Sequence, residues 1–275
     1  MIERELVDRQ GRVPVSGGEV AAEVRGSTGR PIVLVHGTPA SSFLWRNVVP
    51  LLAERHTVYV WDLLGFGNSR LATTAEPSIA RQARTLAELV EHWGLEAPIL
   101  VGHDIGGGTV VRAHLIEQVP AARLVLMDAA VLGPWNTAFT EHMQTHEAAY
   151  RTMPADAFGD LIAGRLRSAT AQPMSAEVHA SYMAPWEGAA GQGRWIDQVA
   201  HVGFHDTEEA VSRLDEVTSP TLVLWGEEDT WLKPCVGERL AAAIPNATHE
   251  TVAGAGHFLP EDAPDATARS ILRFL

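Results

Sequence analysis

The sequence predicts an α/β protein: a mostly parallel, eight-stranded sheet with flanking helices and a helical cap. Three observations support this prediction. Short, nearly continuous runs of Val, Ile and Leu alternate with stretches of helical length, as in parallel sheets that are buried on both faces. One of these runs leads through a glycine-flanked turn directly into a helical stretch. A long segment in the second half contains no strand-like run at all.

Composition limits the classes of function. The 275 residues carry a net charge of −13, and 46% of them are hydrophobic, which is typical of a globular protein with a large core. So acidic a chain predicts no surface for nucleic acid or for an anionic membrane. Residues 1–5 are charged and precede no apolar run, and no stretch reaches the roughly 18 apolar residues of a membrane span. The single cysteine, Cys235, fits a reducing compartment and is expected to be a small buried residue. We therefore expect a cytoplasmic protein without a signal peptide.

The sheet and its helices are expected in a regular order. Residues 1–30 predict an antiparallel edge hairpin, because glycines separate alternating stretches there. The apolar runs predict buried strands at Ile32–His36, Val58–Asp62, Ile99–His103, Leu124–Asp128 and Leu222–Gly226. The helical patterns lie at about Ser78–Trp93, Gly106–Gln118, Pro234–Ile244 and Pro264–Leu275.

The segment 133–213 breaks this alternation. It is rich in Ala, Met, His and Trp, in helix-length pieces separated by Pro154, Pro173 and Pro185. We predict a helical cap domain at 133–213, inserted into a core domain formed by residues 1–132 and 214–275. Ligands bind beyond the carboxyl ends of the strands in open α/β sheets, so the cap is expected to cover the binding site.

The stretch around Asp104 is the strongest indication of function. Gly102-His103-Asp104-Ile105-Gly106 follows a predicted strand and opens a predicted helix. It matches the nucleophile-elbow pattern G-x-S-x-G, with aspartate in the place of serine. The glycines permit a crowded turn that lifts one side chain above the sheet, and the helix directs its first N–H groups and positive dipole end toward that side chain. Asp104 is therefore predicted to be a nucleophile.

The expected partners of Asp104 follow in the order acid, histidine. His257 lies in a glycine-rich loop before the last predicted helix. The acid that orients its imidazole is either Asp229, after the strand at 222–226, or Asp128, after the strand that precedes the cap. We favour Asp229, and Asp128 would then hold a turn.

The predicted oxyanion site is made of backbone groups. His36-Gly37-Thr38-Pro39 follows the first buried strand. The N–H groups of Thr38 and Ile105 are therefore expected to converge on one oxygen.

These motifs, together with Asp62-Leu63-Leu64-Gly65-Phe66-Gly67-Asn68-Ser69, resemble the α/β-hydrolase superfamily over essentially the whole chain. An aspartate at the elbow is similar to the haloalkane dehalogenase and epoxide hydrolase branch. The segment from Thr38 to Asn47 is similar to the one that haloalkane dehalogenases carry there. The resemblance implies the α/β-hydrolase fold with a helical cap, no cofactor and no metal.

The chain also departs from each subfamily. Haloalkane dehalogenases usually place a tryptophan after the nucleophile to donate an N–H to the halide, and fluoroacetate dehalogenases place an arginine there for the substrate carboxylate. Here that residue is Ile105, and Thr38 stands where asparagine is common. Epoxide hydrolases use cap tyrosines to protonate the epoxide oxygen, and this cap offers only Tyr150 and Tyr182.

Carboxylate chemistry selects the type of reaction. Aspartate, with an ordinary pKa of about 3.9, is already an anion at neutral pH and needs no base. Attack on an ester would give a mixed anhydride, whereas attack on an sp3 carbon gives a stable alkyl ester. We therefore expect displacement by Asp104 at a carbon–halogen or strained C–O bond, followed by hydrolysis of the ester by water that His257 deprotonates.

The two candidate activities, dehalogenation and epoxide hydrolysis, differ in the leaving group. Hydrolytic dehalogenation of a small apolar organic compound is favoured, with Trp135, Trp186 and Trp195 as candidate N–H donors to the halide. Epoxide hydrolysis is the alternative, with Tyr150 or Tyr182 as the proton donor. A third hypothesis is a catalytically idle protein of the same fold that binds a ligand in a biosynthetic pathway.

Overall fold

The computed structural model describes residues 9–200 and 202–275, so residues 1–5 of the charged N-terminus lie outside the described part. Within it, the sheet runs in the order β1-β2-β4-β3-β6-β7-β8-β9, and β5 pairs with β2 beside this path. The strands are β1 (Arg9–Val15), β2 (Gly18–Arg25), β3 (Ile32–Val35), β4 (Val58–Trp61), β5 (Arg70–Leu71), β6 (Ile99–His103), β7 (Arg123–Met127), β8 (Thr221–Gly226) and β9 (Ala247–Val252).

The sheet confirms the predicted fold class. Strands β1 and β2 form an antiparallel hairpin at one edge, and β2 also pairs antiparallel with β4. The pairs from β4 through β3, β6, β7 and β8 to β9 are parallel. The main path holds eight strands, as predicted, and the two-residue β5 is an addition. Every residue of β3, β6 and β8 is buried, which explains their continuous apolar sequence.

Helices occupy most of the remaining chain. The described α-helices are α1 (Val49–Ala53), α2 (Ile79–His92), α3 (Ile105–Leu115), α4 (Ala138–Thr145), α5 (Glu147–Arg151), α6 (Ala155–Arg167), α7 (Ala176–Met183), α8 (Gly188–Ala200), α9 (Glu208–Val211), α10 (Pro234–Ala243), α11 (Leu259–Asp262) and α12 (Pro264–Phe274). Of the helices in the described residues, none has the length and apolarity that a membrane crossing requires.

Two features differ from the sequence prediction. Strand β9 was not predicted, because its residues Ala247–Val252 are mostly half-exposed or exposed and include no continuous apolar run. Cys235 is exposed rather than buried, because it lies in the first turn of α10, whose buried residues are Gly237 and Leu240.

The described chain between β7 and β8 contains helices and no strand, and the segment 133–213 falls within it. Several contacts attach these helices to the rest of the molecule. The indole N–H of Trp186 donates to the Pro39 carbonyl at 3.1 Å. The Tyr182 hydroxyl donates to Glu261 at 2.8 Å, and Glu261 also pairs with both terminal nitrogens of Arg46 at 2.6 Å. These contacts hold the helical segment over the carboxyl edge of the sheet.

Candidate active site

Asp104 occupies the sharp turn between β6 and α3. Its backbone has φ 52° and ψ −125°, a conformation that is strained for a residue other than glycine. The neighbouring glycine positions leave no room for a side chain: a Cβ at Gly106 would lie 2.4 Å from the Val35 carbonyl oxygen, and one at Gly37 would lie 2.4 Å from the Asp104 Cβ. The elbow therefore needs glycine at these two positions in order to present Asp104.

The two carboxylate oxygens of Asp104 have different surroundings. Oδ2 accepts the backbone N–H of Thr38 at 2.7 Å, and the backbone N–H of Ile105 favours the charged form of the carboxylate. Oδ1 lies 3.8 Å from Nε2 of His257. Burial raises the pKa of Asp104, although His257 and the two N–H groups favour its charged form. Oδ2 is thus held by the Thr38 N–H, while Oδ1 faces the imidazole.

His257 is oriented by Asp229. Its Nδ1 lies 2.9 Å from Oδ2 of Asp229, and the other oxygen of Asp229 accepts the N–H groups of Trp231 at 2.7 Å and Leu232 at 3.0 Å. An Nδ1–H donated to Asp229 leaves Nε2 of His257 as an acceptor, and this nitrogen has no hydrogen-bond partner among the described residues. Burial lowers the pKa of His257, but the charges of Asp229 and Asp104 outweigh burial and raise it.

Asp128, the other acid considered from the sequence, occupies a different position. Its Oδ1 accepts the backbone N–H of Gly226 at 2.8 Å, which links the ends of β7 and β8. Burial and the neighbouring Asp229 raise its pKa well above the ordinary value. Asp229, and not Asp128, makes the hydrogen bond to the ring of His257.

His103, directly before Asp104 in the chain, supports the histidine loop. Its Nε2 lies 2.7 Å from the backbone oxygen of His257, and burial lowers its pKa well below the ordinary value. A neutral His103 that donates this hydrogen bond fixes the backbone of the loop relative to the elbow. The described residues include no cluster of three or more His, Cys, Asp or Glu side chains that could hold a metal ion.

A small cavity of about 70 Å³ lies at Asp104 and His257. Thr38 and Ile105 border it from the sheet side, and residues from α4, α6 and α8 close it from the other side. Its wall is mostly apolar, which strengthens electrostatic contacts inside it.

The three tryptophans predicted as halide donors differ in what their N–H groups contact. The Trp135 indole N–H donates to the Thr207 hydroxyl at 3.1 Å, and the Trp186 indole N–H donates to the Pro39 carbonyl. Trp195 lines the cavity, and its buried Nε1 has no hydrogen-bond partner in the described part of the chain. Among these three, only Trp195 therefore has an indole N–H without a partner in the described residues.

Neither predicted tyrosine borders the cavity. The Tyr150 hydroxyl lies 2.8 Å from Nδ1 of His142, and the Tyr182 hydroxyl donates to Glu261. Burial and Glu261 raise the pKa of Tyr182 well above its ordinary value, so this hydroxyl stays protonated. Both hydroxyls have partners away from Asp104.

Two residues of the site were missed from the sequence. Arg165, in the last turn of α6, and Trp231, after β8, both line the cavity. The Arg165 guanidinium lies 3.7 Å from the centre of the Trp231 ring, and that ring stacks on His257 with centroids 4.8 Å apart. A signal existed for Arg165, because it lies three residues after the buried Ile162 on the inward side of its helix.

Comparisons with known proteins agree with this fold. A family model of the α/β hydrolase fold matches residues 30–264. A protein of Mycobacterium tuberculosis named haloalkane dehalogenase 2 is 30% identical over 255 residues, which cover 89% of this chain and 87% of that protein. The crystal structure of an α/β hydrolase fold protein from Burkholderia ambifaria is 36% identical, with a TM-score of 0.92 and coverage of 98% of this chain and 99% of that one. The epoxide hydrolase CorEH, 23% identical with a TM-score of 0.75 and 98% coverage of both chains, shows a shared fold. The chain belongs to the α/β hydrolase fold family and is a hydrolase of that family.

Proposed function

We propose that this α/β hydrolase removes a halide from a small halogenated organic compound by hydrolysis, with Asp104 as the nucleophile. The observation that supports this most is the asymmetric setting of the Asp104 carboxylate. The backbone N–H of Thr38 holds Oδ2 at 2.7 Å, the Ile105 N–H favours the charged carboxylate, and Oδ1 lies 3.8 Å from Nε2 of His257. This is the arrangement that a carboxylate nucleophile with a separate hydrolytic base requires.

The first step needs no proton transfer. Oδ1 of Asp104 attacks the carbon that bears the halogen, a C–O bond forms, and the C–X bond breaks with its electron pair leaving on the halide. The product is an alkyl ester of Asp104. A carboxylate is suited to this step because it is already charged and because its attack on sp3 carbon gives a stable ester.

The second step hydrolyses that ester. Water gives a proton to Nε2 of His257 and attacks Cγ of Asp104, so Oδ2 becomes the oxyanion that the Thr38 and Ile105 N–H groups stabilise. Collapse breaks the bond between Cγ and Oδ1, and the alcohol takes the proton from His257. The balance is RX + H₂O giving ROH + H⁺ + X⁻, and the alcohol keeps the former Oδ1.

The leaving group is assigned from the hydrogen-bond donors that remain free. The Trp195 N–H has no partner within residues 9–200 and 202–275, and we assign it to the halide because a halide needs only such a donor. Epoxide opening needs an acid, but the hydroxyls of Tyr150 and Tyr182 are bonded elsewhere. The name of the Mycobacterium tuberculosis relative points to the same chemistry. Halide release compared with diol formation, on one panel of small substrates, distinguishes the two reactions.

Trapping of the ester tests the mechanism. In a His257→Gln variant the second step is blocked, so intact-mass spectrometry is expected to show the protein plus one alkyl group, and peptide mapping is expected to place it on Asp104. The double variant that also carries Asp104→Ala is the control and gains no mass. Turnover by the wild type without any adduct on the His257→Gln protein would contradict the scheme. A bound compound recovered unchanged, with Asp104→Asn tolerated, would favour an idle ligand-binding protein.

A further inference from the structure

Arg165 places a guanidinium at the wall of the cavity. In the described part of the chain it makes no ion pair with a carboxylate, and its one side-chain hydrogen bond goes to the Thr137 hydroxyl at 3.3 Å. Aromatic rings hold it instead, with Trp231 at 3.7 Å and Phe139 at 5.7 Å from the guanidinium carbon. The two rings fix the plane of the guanidinium, and the N–H donors that do not contact Thr137 can bind a ligand.

Some of the other partly buried arginines pair with a carboxylate. Arg46 forms a two-point contact with Glu261 at 2.6 Å, and Arg112, with 11% of its side chain exposed, pairs with Glu209 at 3.0 Å. Burial lowers the pKa of Arg165 to about 10, opposed by the charges of Asp104 and Asp229, so the group remains charged at neutral pH. A charge that is shielded from water is stabilised by a partner. Unlike Arg46 and Arg112, Arg165 has no carboxylate within ion-pair distance among the described residues.

We propose that the substrate supplies this partner: it carries a carboxylate, which Arg165 binds while Asp104 attacks the neighbouring carbon. The chemical step rests on the proposed function, but binding of the carboxylate does not. A substrate anion beside Asp104 would otherwise meet like-charge repulsion, and the guanidinium offsets it. The apolar substrate that the sequence predicts would instead displace water from Arg165 and offer the guanidinium no hydrogen-bond acceptor.

The size of the cavity and the groups on its wall indicate which carboxylic acids would fit as substrates. The cavity volume of about 70 Å³, smaller than the roughly 150 Å³ of a cavity that binds benzene, favours a small molecule. Arg165 provides a site for a carboxylate and Trp195 provides one for a halogen, with Ile105 and other apolar side chains also on the wall. A short 2-haloalkanoic acid matches this set of contacts, and its product would be the 2-hydroxy acid.

Binding of an unreactive acid tests the recognition separately from the chemistry. Propionate and propionamide have the same number of non-hydrogen atoms and differ in charge. By isothermal titration calorimetry we expect the wild type to bind propionate at least tenfold more tightly than propionamide. Arg165→Met, which keeps an unbranched side chain against Trp231, should lose about 10- to 100-fold in propionate affinity, the range of a charge-assisted hydrogen bond.

Two further variants make the result specific. Arg167→Met removes an exposed arginine from the same helix, and it should bind propionate like the wild type. Arg165→Lys keeps the charge without the planar fork and should recover part of the affinity. Melting temperatures of all three variants show whether they are folded. Equal binding of propionate and propionamide, or unchanged propionate affinity in a folded Arg165→Met protein, would overturn the inference.

Turnover separates this inference from the proposed function. We expect 2-chloropropionate to exceed 2-chloropropionamide in kcat/KM, and Arg165→Met to reduce kcat/KM for the acid by about 100-fold, mainly through KM. An Asp104 adduct that forms equally well from acid and amide would support the nucleophile and refute the role of Arg165. Arg165-dependent binding of propionate without any adduct would support the anion site and refute the dehalogenation mechanism.

Discussion

Trp195→Phe is the sharpest test of the leaving-group assignment. The substitution removes the indole N–H, which is buried at the cavity and has no partner among the described residues. It keeps an aromatic ring where Trp195 packs edge-on against Trp186, with centroids 5.1 Å apart and planes at 84°. The change is therefore confined mostly to one hydrogen-bond donor.

The expected size of the effect follows from the charge of the leaving group. A hydrogen bond to a charged partner contributes about 1.5–3 kcal/mol, and each 1.36 kcal/mol is about a factor of ten in rate. Since halide charge develops as the C–X bond breaks, the alkylation rate of Trp195→Phe should fall about 10- to 150-fold. Hydrolysis of the ester should change little, because the halide no longer takes part. Stability should also change little, since an unpaired buried N–H is removed along with some packing.

Single-turnover rapid-quench measurements of halide release and ester formation resolve the two steps. Trp135→Phe is the matched control, because Trp135 also borders the cavity but gives its N–H to Thr207. We expect this control to alkylate within about threefold of the wild type. The reasoning is refuted if Trp195→Phe alkylates within that same margin, or if both variants lose the same factor.

Three other predictions concern the remaining groups of the site. Asp229→Asn should slow ester hydrolysis by about 10²- to 10⁴-fold, because the imidazole loses its orienting carboxylate. Asp128→Asn should change the rate of ester hydrolysis less than tenfold, because its amide oxygen can still accept the Gly226 N–H. The decay of the ester in single-turnover experiments measures both rates. Asp104→Asn should lower the pKa of His257, and an NMR titration showing no decrease would contradict the electrostatics. Glu261→Ala should lower the free energy of unfolding by about 3 kcal/mol, since it leaves Arg46 and Tyr182 unpaired. Chemical denaturation measures this loss, and an unchanged free energy of unfolding would show that the network does not stabilise the fold.

The local motifs were predictable because they are contiguous in the chain. The strand, turn and helix around Asp104 fix both its side chain and the Ile105 N–H, and Thr38 follows the adjacent strand β3. The choice between Asp229 and Asp128 was not open to the same reasoning. Both follow neighbouring parallel strands, β8 and β7, and the distinction depends on which carboxylate accepts the Gly226 N–H and which one reaches His257.

The leaving-group residues depend on contacts that are distant in sequence. Trp186 loses its N–H to Pro39, 147 positions away, and Tyr182 gives its hydroxyl to Glu261, 79 positions away. Amino-acid type alone gives no sign of such pairings. Arg165 differs, because a charged residue near the apolar face of a helix could have been singled out from its spacing to Ile162.

The charges of the site favour the two steps in turn. In the free enzyme the negative charge of Asp104 is one of the causes that raise the pKa of His257. Alkylation of Asp104 removes that charge. The pKa of His257 should therefore be lower in the ester than in the free enzyme. In the ester, the imidazole of His257 is therefore neutral down to a lower pH, and the second step needs this neutral form as its base. Consequently the rate of ester hydrolysis should rise with pH around a midpoint below the pKa of His257 in the free enzyme.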